Sequence, residues 1–153
     1  MSGYEEDLLV WSERQSALLR RMAAGERVND QIDWENVAEE VDASGKSARR
    51  ELRNRVAAIL LHLMKLQASP APGPRAGWRE TVRVQRRALA RVLEDSPSLR
   101  GELEVVVAQE LPNARQDAAS ALADHGERPR VAPETLAYGV AEVTGDWWPG
   151  ADT

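Results

Sequence analysis

The 153-residue sequence has no cysteine. This excludes disulfides, thiolate nucleophiles and Cys-ligated metal, and it suits a reducing compartment. Phenylalanine is also absent, and the aromatic residues are five Trp and two Tyr. With Ala, Leu, Arg and Glu abundant, that composition favours helix over strand. No apolar run approaches the ~20 residues of a membrane span. The opening Met1-Ser2-Gly3-Tyr4-Glu5-Glu6-Asp7 is acidic and polar, whereas a signal peptide places basic and then apolar residues there. The expected location is the cytoplasm, without membrane association. Histidine is scarce, at His62 and His125.

Charge is present and unevenly spread. Residues 1–45 carry 11 acids and 4 bases, residues 46–100 carry 13 bases and 4 acids, and residues 101–153 carry 10 acids and 3 bases. A basic middle between acidic ends is expected to neutralise itself by folding back. The length suits one helical domain over 1–153, since domains cluster near about 100–150 residues.

Periodicity supplies the elements. Ser2 and Glu5 have capping-box spacing, and Tyr4, Leu8, Trp11, Gln15, Leu18 and Met22 follow as one helical seam that ends at Gly25. Asp33 is positioned to cap a second helix, with Ile32 and Val37 as a hydrophobic staple. Its stripe, Val37, Val41, Ala48, Leu52, Val56, Ile59, Leu63 and Leu66, passes Gly45, so it is either one long helix or two meeting there. Val56–Met64 is apolar nearly all round except for His62, as in the middle of a bundle. Prolines make 69–77 a loop. Trp78, Val82, Gln85 and Leu89 mark a third helix. Ser96-Pro97 reads as cap and first residue of a fourth, lined by Leu99, Leu103, Val106, Val107 and Leu111, interrupted by Pro112 and stopped by Gly126. In the tail, 127–153, a short helix is expected over Tyr138–Val143, with Trp147-Trp148-Pro149 as an apolar plug. The expected fold is all-α: a bundle of four main helices with a short C-terminal helix.

Several stretches together resemble a bacterial family, domain of unknown function 29. They are Asp7-x3-Trp11-x3-Gln15-x2-Leu18-Leu19-Arg20, Asp33-x2-Asn36-Val37-Ala38-Glu39-Glu40-Val41, His62-Leu63-Met64-Lys65, Trp78-Arg79-x5-Gln85-Arg86, Ser96-Pro97-Ser98-Leu99, Ala114-Arg115 and Trp148-Pro149. The resemblance implies an all-helical fold and no assigned activity. Leu66 and Leu111-Pro112 depart from the family's usual pattern.

The candidate functional residues are polar groups on or beside apolar faces: Asp7, Gln15, Glu39, Glu40, His62, Trp78, Arg79, Gln85 and Arg86. Buried polar groups persist when hydrogen-bonded. The simplest account is therefore one internal network, in which a helix-two carboxylate receives Arg79 or Arg86 while His62 and Gln15 complete it. A metal site or small enzyme built on Glu39, Glu40 and His62 is the sharper alternative, but the Glu-x-x-His spacing of bundle metal sites is missing. No metal or cofactor is expected. Gly45-Lys46-Ser47 lacks the upstream glycine of a phosphate loop. No serine sits in a nucleophile elbow, and no catalytic residue is assigned. Arg75, Arg79, Arg83, Arg86 or Arg87, and Arg91 form a stripe that suits phosphates, which makes nucleic acid a third reading. The favoured function is a non-enzymatic interaction or regulatory module that binds a protein partner or itself.

Overall fold

A computed structural model of the protein describes residues 3–150. Five α-helices occur in it: α1 Leu8–Ala23, α2 Trp34–Ala68, α3 Arg75–Asp95, α4 Leu103–Asp124 and the short α5 Val140–Thr144. Tight 3-10 turns at Asn29–Gln31, Pro97–Glu102 and Pro133–Thr135 join them, and no strand is found among the described residues. The all-α class and the count of four main helices plus a short C-terminal one are as expected. Compactness divides the chain into two units, one ending at Ser47 and one beginning at Ala48, with the division inside α2.

In the N-terminal unit, α1 starts at Leu8 because Asp7, in extended backbone, accepts the Val10 N–H at 3.1 Å. The expected capping box involves Ser2, which lies outside the described residues. Tyr4 sits in a turn ahead of the helix and not on its seam. The buried face is Trp11, Gln15 and Leu18. At the other end Gly25, with φ +97°, allows Glu26 and Gly25 N–H to cap the carbonyls of Arg21 and Met22. Leu18, Val28 and Ile32 form a small core, with Met22 and Val37 packed on it, so Ile32 and Val37 share one cluster as the staple requires.

Helix α2 runs unbroken for 35 residues through Gly45. Interrupting it would orphan backbone groups on both sides, whereas one glycine costs about 1 kcal/mol relative to Ala. In the C-terminal unit Val56, Ile59, Leu60, Leu63 and Met64 are fully buried. They pack in one cluster with Val82 and Leu89 of α3, Val107 and Ala118 of α4, and Val143 of α5.

Four boundaries differ from expectation. Helix α3 begins at Arg75, inside the expected loop 69–77, because the Pro74 carbonyl already accepts the Trp78 N–H at 3.1 Å. Pro97–Glu102 is 3-10, not the first turns of an α-helix: Leu99 N–H bonds the Ser96 carbonyl at 3.0 Å, and Gly101 lowers α-propensity in the next turn. Helix α4 continues through Pro112, where an interruption was expected. Burial of Val106 and Val107 before it and Ala114, Ala118 and Leu122 after it outweighs the ~3 kcal/mol an interior proline costs. The last helix starts at Val140, after Tyr138, where the Glu142 carboxylate accepts the Gly139 N–H at 3.1 Å. Gly126, with φ +65°, does end α4: Gly126 and Glu127 N–H cap the Ala123 and Leu122 carbonyls.

Candidate functional site

In the N-terminal unit the candidate residues serve a clip centred on Asp33. The Asp33 carboxylate receives the Trp11 indole N–H at 2.9 Å and the Asn36 amide at 2.8 Å. The Asp33 backbone N–H donates to Gln15 Oε1 at 2.8 Å. Gln15, 5% exposed, is thereby satisfied by the chain entering α2. Tyr4 packs edge-on against Trp11, with ring centres 4.8 Å apart, and donates its hydroxyl to Glu40. That bond, together with desolvation and the nearby acids, pushes the phenol pKa up. Asp7 is the α1 cap, and Glu39 is exposed. The carboxylate chemistry here holds backbone and ring N–H groups in place.

In the C-terminal unit the five candidates take separate partners. Arg86 grips the chain around α5: Nε donates to the Val143 carbonyl at 3.0 Å, and Nη2 donates to those of Glu142 and Trp147, each at 2.7 Å. Its guanidinium also lies 5.0 Å from the Trp148 ring. The expected carboxylate partner on helix two is replaced by backbone carbonyls. A helix of five residues leaves its last carbonyls without intrahelical donors, and the planar fork of an arginine satisfies several at once. Burial pushes the Arg86 pKa down. Gln85 Oε1 accepts Arg55 Nη1 at 3.1 Å, and Arg55 Nη2 reaches Glu51 at 3.4 Å. His62 is half-buried, with Nδ1 2.8 Å from the Ala58 carbonyl one turn back, and burial lowers its pKa. Trp78 is partly buried, with the Lys65 ammonium 5.9 Å from its ring centre. Arg79 is exposed beside a shallow recess of about 300 Å³ shared with Arg83, Trp148 and Pro149.

Among the described residues no hydrogen bond joins any two of the nine candidates, so the single network is replaced by local clips. The sequence reading missed Trp11 with Asp33, and also Arg115, whose Nε donates to the Leu136 carbonyl at 2.7 Å. Asp33-x2-Asn36 and Ala114-Arg115 were visible as motifs, but backbone carbonyl partners carry no residue-type signal. Between residues 46–100 and 101–150 the ion pair found is Arg49–Glu102 at 3.1 Å. The other pairs are local, such as Lys46–Asp42 and Arg83–Glu80. Fold-back neutralisation therefore has one exposed pair behind it, and such pairs contribute about 0–1 kcal/mol. Among the described residues no group of three or more His, Asp or Glu is placed to hold a metal ion, and no helix is long and apolar enough to cross a membrane.

The model of the family described as "Domain of unknown function DUF29" matches residues 3–148. No curated protein matches the chain. The crystal structure of an α-helical protein of unknown function from Rhodospirillum rubrum is similar, with 26% identity and a TM-score of 0.64. That match covers 94% of this chain and 89% of that one.

Proposed function

The chain belongs to the family Domain of unknown function DUF29, and we propose that it is a cytoplasmic, non-enzymatic interaction module that binds a protein partner through its N-terminal unit. The observation that carries this is a set of large apolar side chains left in water: Leu8 at 51%, Leu9 at 67%, Val10 at 58%, Trp34 at 50% and Val41 at 71% exposure. Burying the part of each that is still exposed would gain on the order of 1–2 kcal/mol, which favours protein association. Residues 3–47 around them hold 11 acids against 5 bases. The complementary surface is apolar with a basic rim. The engagement of Asp33, Glu40 and Gln15 in local clips also supports a non-enzymatic role.

The test compares the full chain with a Leu9→Glu/Val41→Glu variant. Both sites are exposed, so folding is expected to persist. Light scattering reads self-association, and quantitative recovery from an extract of the producing cells reads a second protein. A dimer or a stoichiometric partner that the variant loses supports the reading. A monomer with no differential partner refutes it.

A second reading rests on Arg79, Arg83 and Arg87, all exposed on α3. It predicts low-salt binding to mixed-sequence DNA that falls steeply with salt and vanishes when all three become Glu. Binding unaffected by that charge reversal would refute it.

A further inference from the structure

A second concavity lies at one end of the C-terminal unit, apart from the residues discussed as a partner surface. The end of α2 contributes Lys65, the start of α3 contributes Pro74 and Trp78, and the end of α4 contributes Leu122 and His125, with Glu127 just beyond. Its volume is about 240 Å³, room for roughly eight waters at ~30 Å³ each. The walls from Pro74, Trp78 and Leu122 are apolar.

The charged groups decide what fits. Lys65 and Glu127 both line this recess and are both half-buried, yet no ion pair joins them to each other or to any other described residue. The Lys65 ammonium is stationed 5.9 Å from the Trp78 ring centre. Glu127 is held from behind by the Ser69 hydroxyl, which is fully buried and donates to Oε1 at 3.0 Å. Among the described residues the second carboxylate oxygen has no hydrogen-bond partner. His125 has Nδ1 2.9 Å from the Ala121 carbonyl; in the tautomer that donates there, Nε2 is left as an acceptor. Lys65, Glu127 and His125 thus line one recess whose walls from Pro74, Trp78 and Leu122 are apolar. Two opposite charges that face one cavity without meeting are complementary to a ligand carrying both signs.

We propose that this recess binds a free α-amino acid with an apolar side chain, its carboxylate on Lys65, its ammonium on Glu127 and its side chain against Trp78 and Leu122. The ammonium has a further N–H for His125 Nε2. A sugar or nucleotide would leave the apolar wall unmatched. A simple organic acid or amine would leave one of the two charges unanswered, and buried groups left unpaired are what discriminate among ligands. The proposal is independent of the partner surface on the N-terminal unit.

Calorimetric titration of the 153-residue chain with L-phenylalanine and L-leucine tests it. The expected dissociation constant for at least one of them is about 0.1–1 mM, ordinary for a ligand of ~10 atoms. For whichever binds, the analogue lacking the ammonium and the analogue lacking the carboxylate should bind at least tenfold more weakly; for L-phenylalanine these are 3-phenylpropionate and 2-phenylethylamine. Lys65→Met, which keeps the stem on Trp78, and Glu127→Gln, which still accepts from Ser69, should each weaken binding at least tenfold without a change in far-UV circular dichroism. Amide and indole chemical shifts in the wild-type protein provide a readout that does not depend on variants: the Trp78 indole N–H and the Leu122 and His125 amides should move. No heat and no shift up to about 10 mM of either amino acid, equal affinity for a truncated analogue, or shifts confined elsewhere would each overturn the proposal.

Discussion

Replacing Arg86 by Met should loosen the C-terminal segment more than any other exchange of one polar side chain on α3. The guanidinium makes three bonds, to the carbonyls of Val143, Glu142 and Trp147 at 3.0, 2.7 and 2.7 Å. A hydrogen bond from a charged donor contributes about 1.5–3 kcal/mol net, which bounds the sum of three at about 4.5–9 kcal/mol. Two effects reduce it. Burial already works against the charged form, as the lowered Arg86 pKa shows, and water can reach the freed Trp147 carbonyl at the exposed end. Met retains the stem's packing. The expected loss is about 2–4 kcal/mol, which for a chain of this size lowers Tm by roughly 5–12 °C. Lys keeps the charge but not the fork, and should recover less than half of the loss. Urea unfolding followed by circular dichroism gives the free energy, and Trp fluorescence follows Trp147 and Trp148 directly. An Arg86→Met protein within about 0.5 kcal/mol of wild type would refute the assignment of Arg86 as the clamp.

Trp11→Phe keeps the aromatic body but removes the indole donor to Asp33, and should destabilise the protein by about 1–2 kcal/mol in urea unfolding; no change would mean the Asp33 clip is incidental. Gly45→Ala should stabilise by about 0.5–1 kcal/mol, since an added Cβ meets nothing within 4 Å and the site lies inside an unbroken helix. A loss of stability there would show that α2 is not continuous in solution. Burial, chiefly, holds the His62 pKa below its ordinary 6.5, so the unfolded chain takes up the proton first. Its contribution is therefore complete above about pH 6.5 and declines as pH falls through the lower folded value, and His62→Gln should flatten the stability profile below about pH 6.5. Parallel profiles for the two proteins would refute it.

Much of this was legible before any coordinates. The alternation of Trp11, Gln15 and Leu18, the apolar run Val56–Met64, the staple Ile32/Val37 and the stop at Gly126 are relations among residues three to nine apart, and the structure keeps them. Pro112 is the instructive exception. Its local rule predicts a break, yet the buried residues on either side of it belong to one core cluster and carry the helix through. Gln15, Glu40, Gln85 and Arg86 do find partners, though not one another, while Glu39 and Arg79 stay exposed.

What the amino-acid order alone determined was which segments are helical, where most of them end and which polar side chains require satisfaction, because periodicity, capping and proline geometry act over a turn or two. Only the tertiary structure decided who satisfies whom. Arg86 reaches carbonyls more than 50 residues away, and Lys65 and Glu127 come to face the same recess without pairing. Such matches depend on where packed helices place their ends, and a backbone carbonyl is the same atom in every residue.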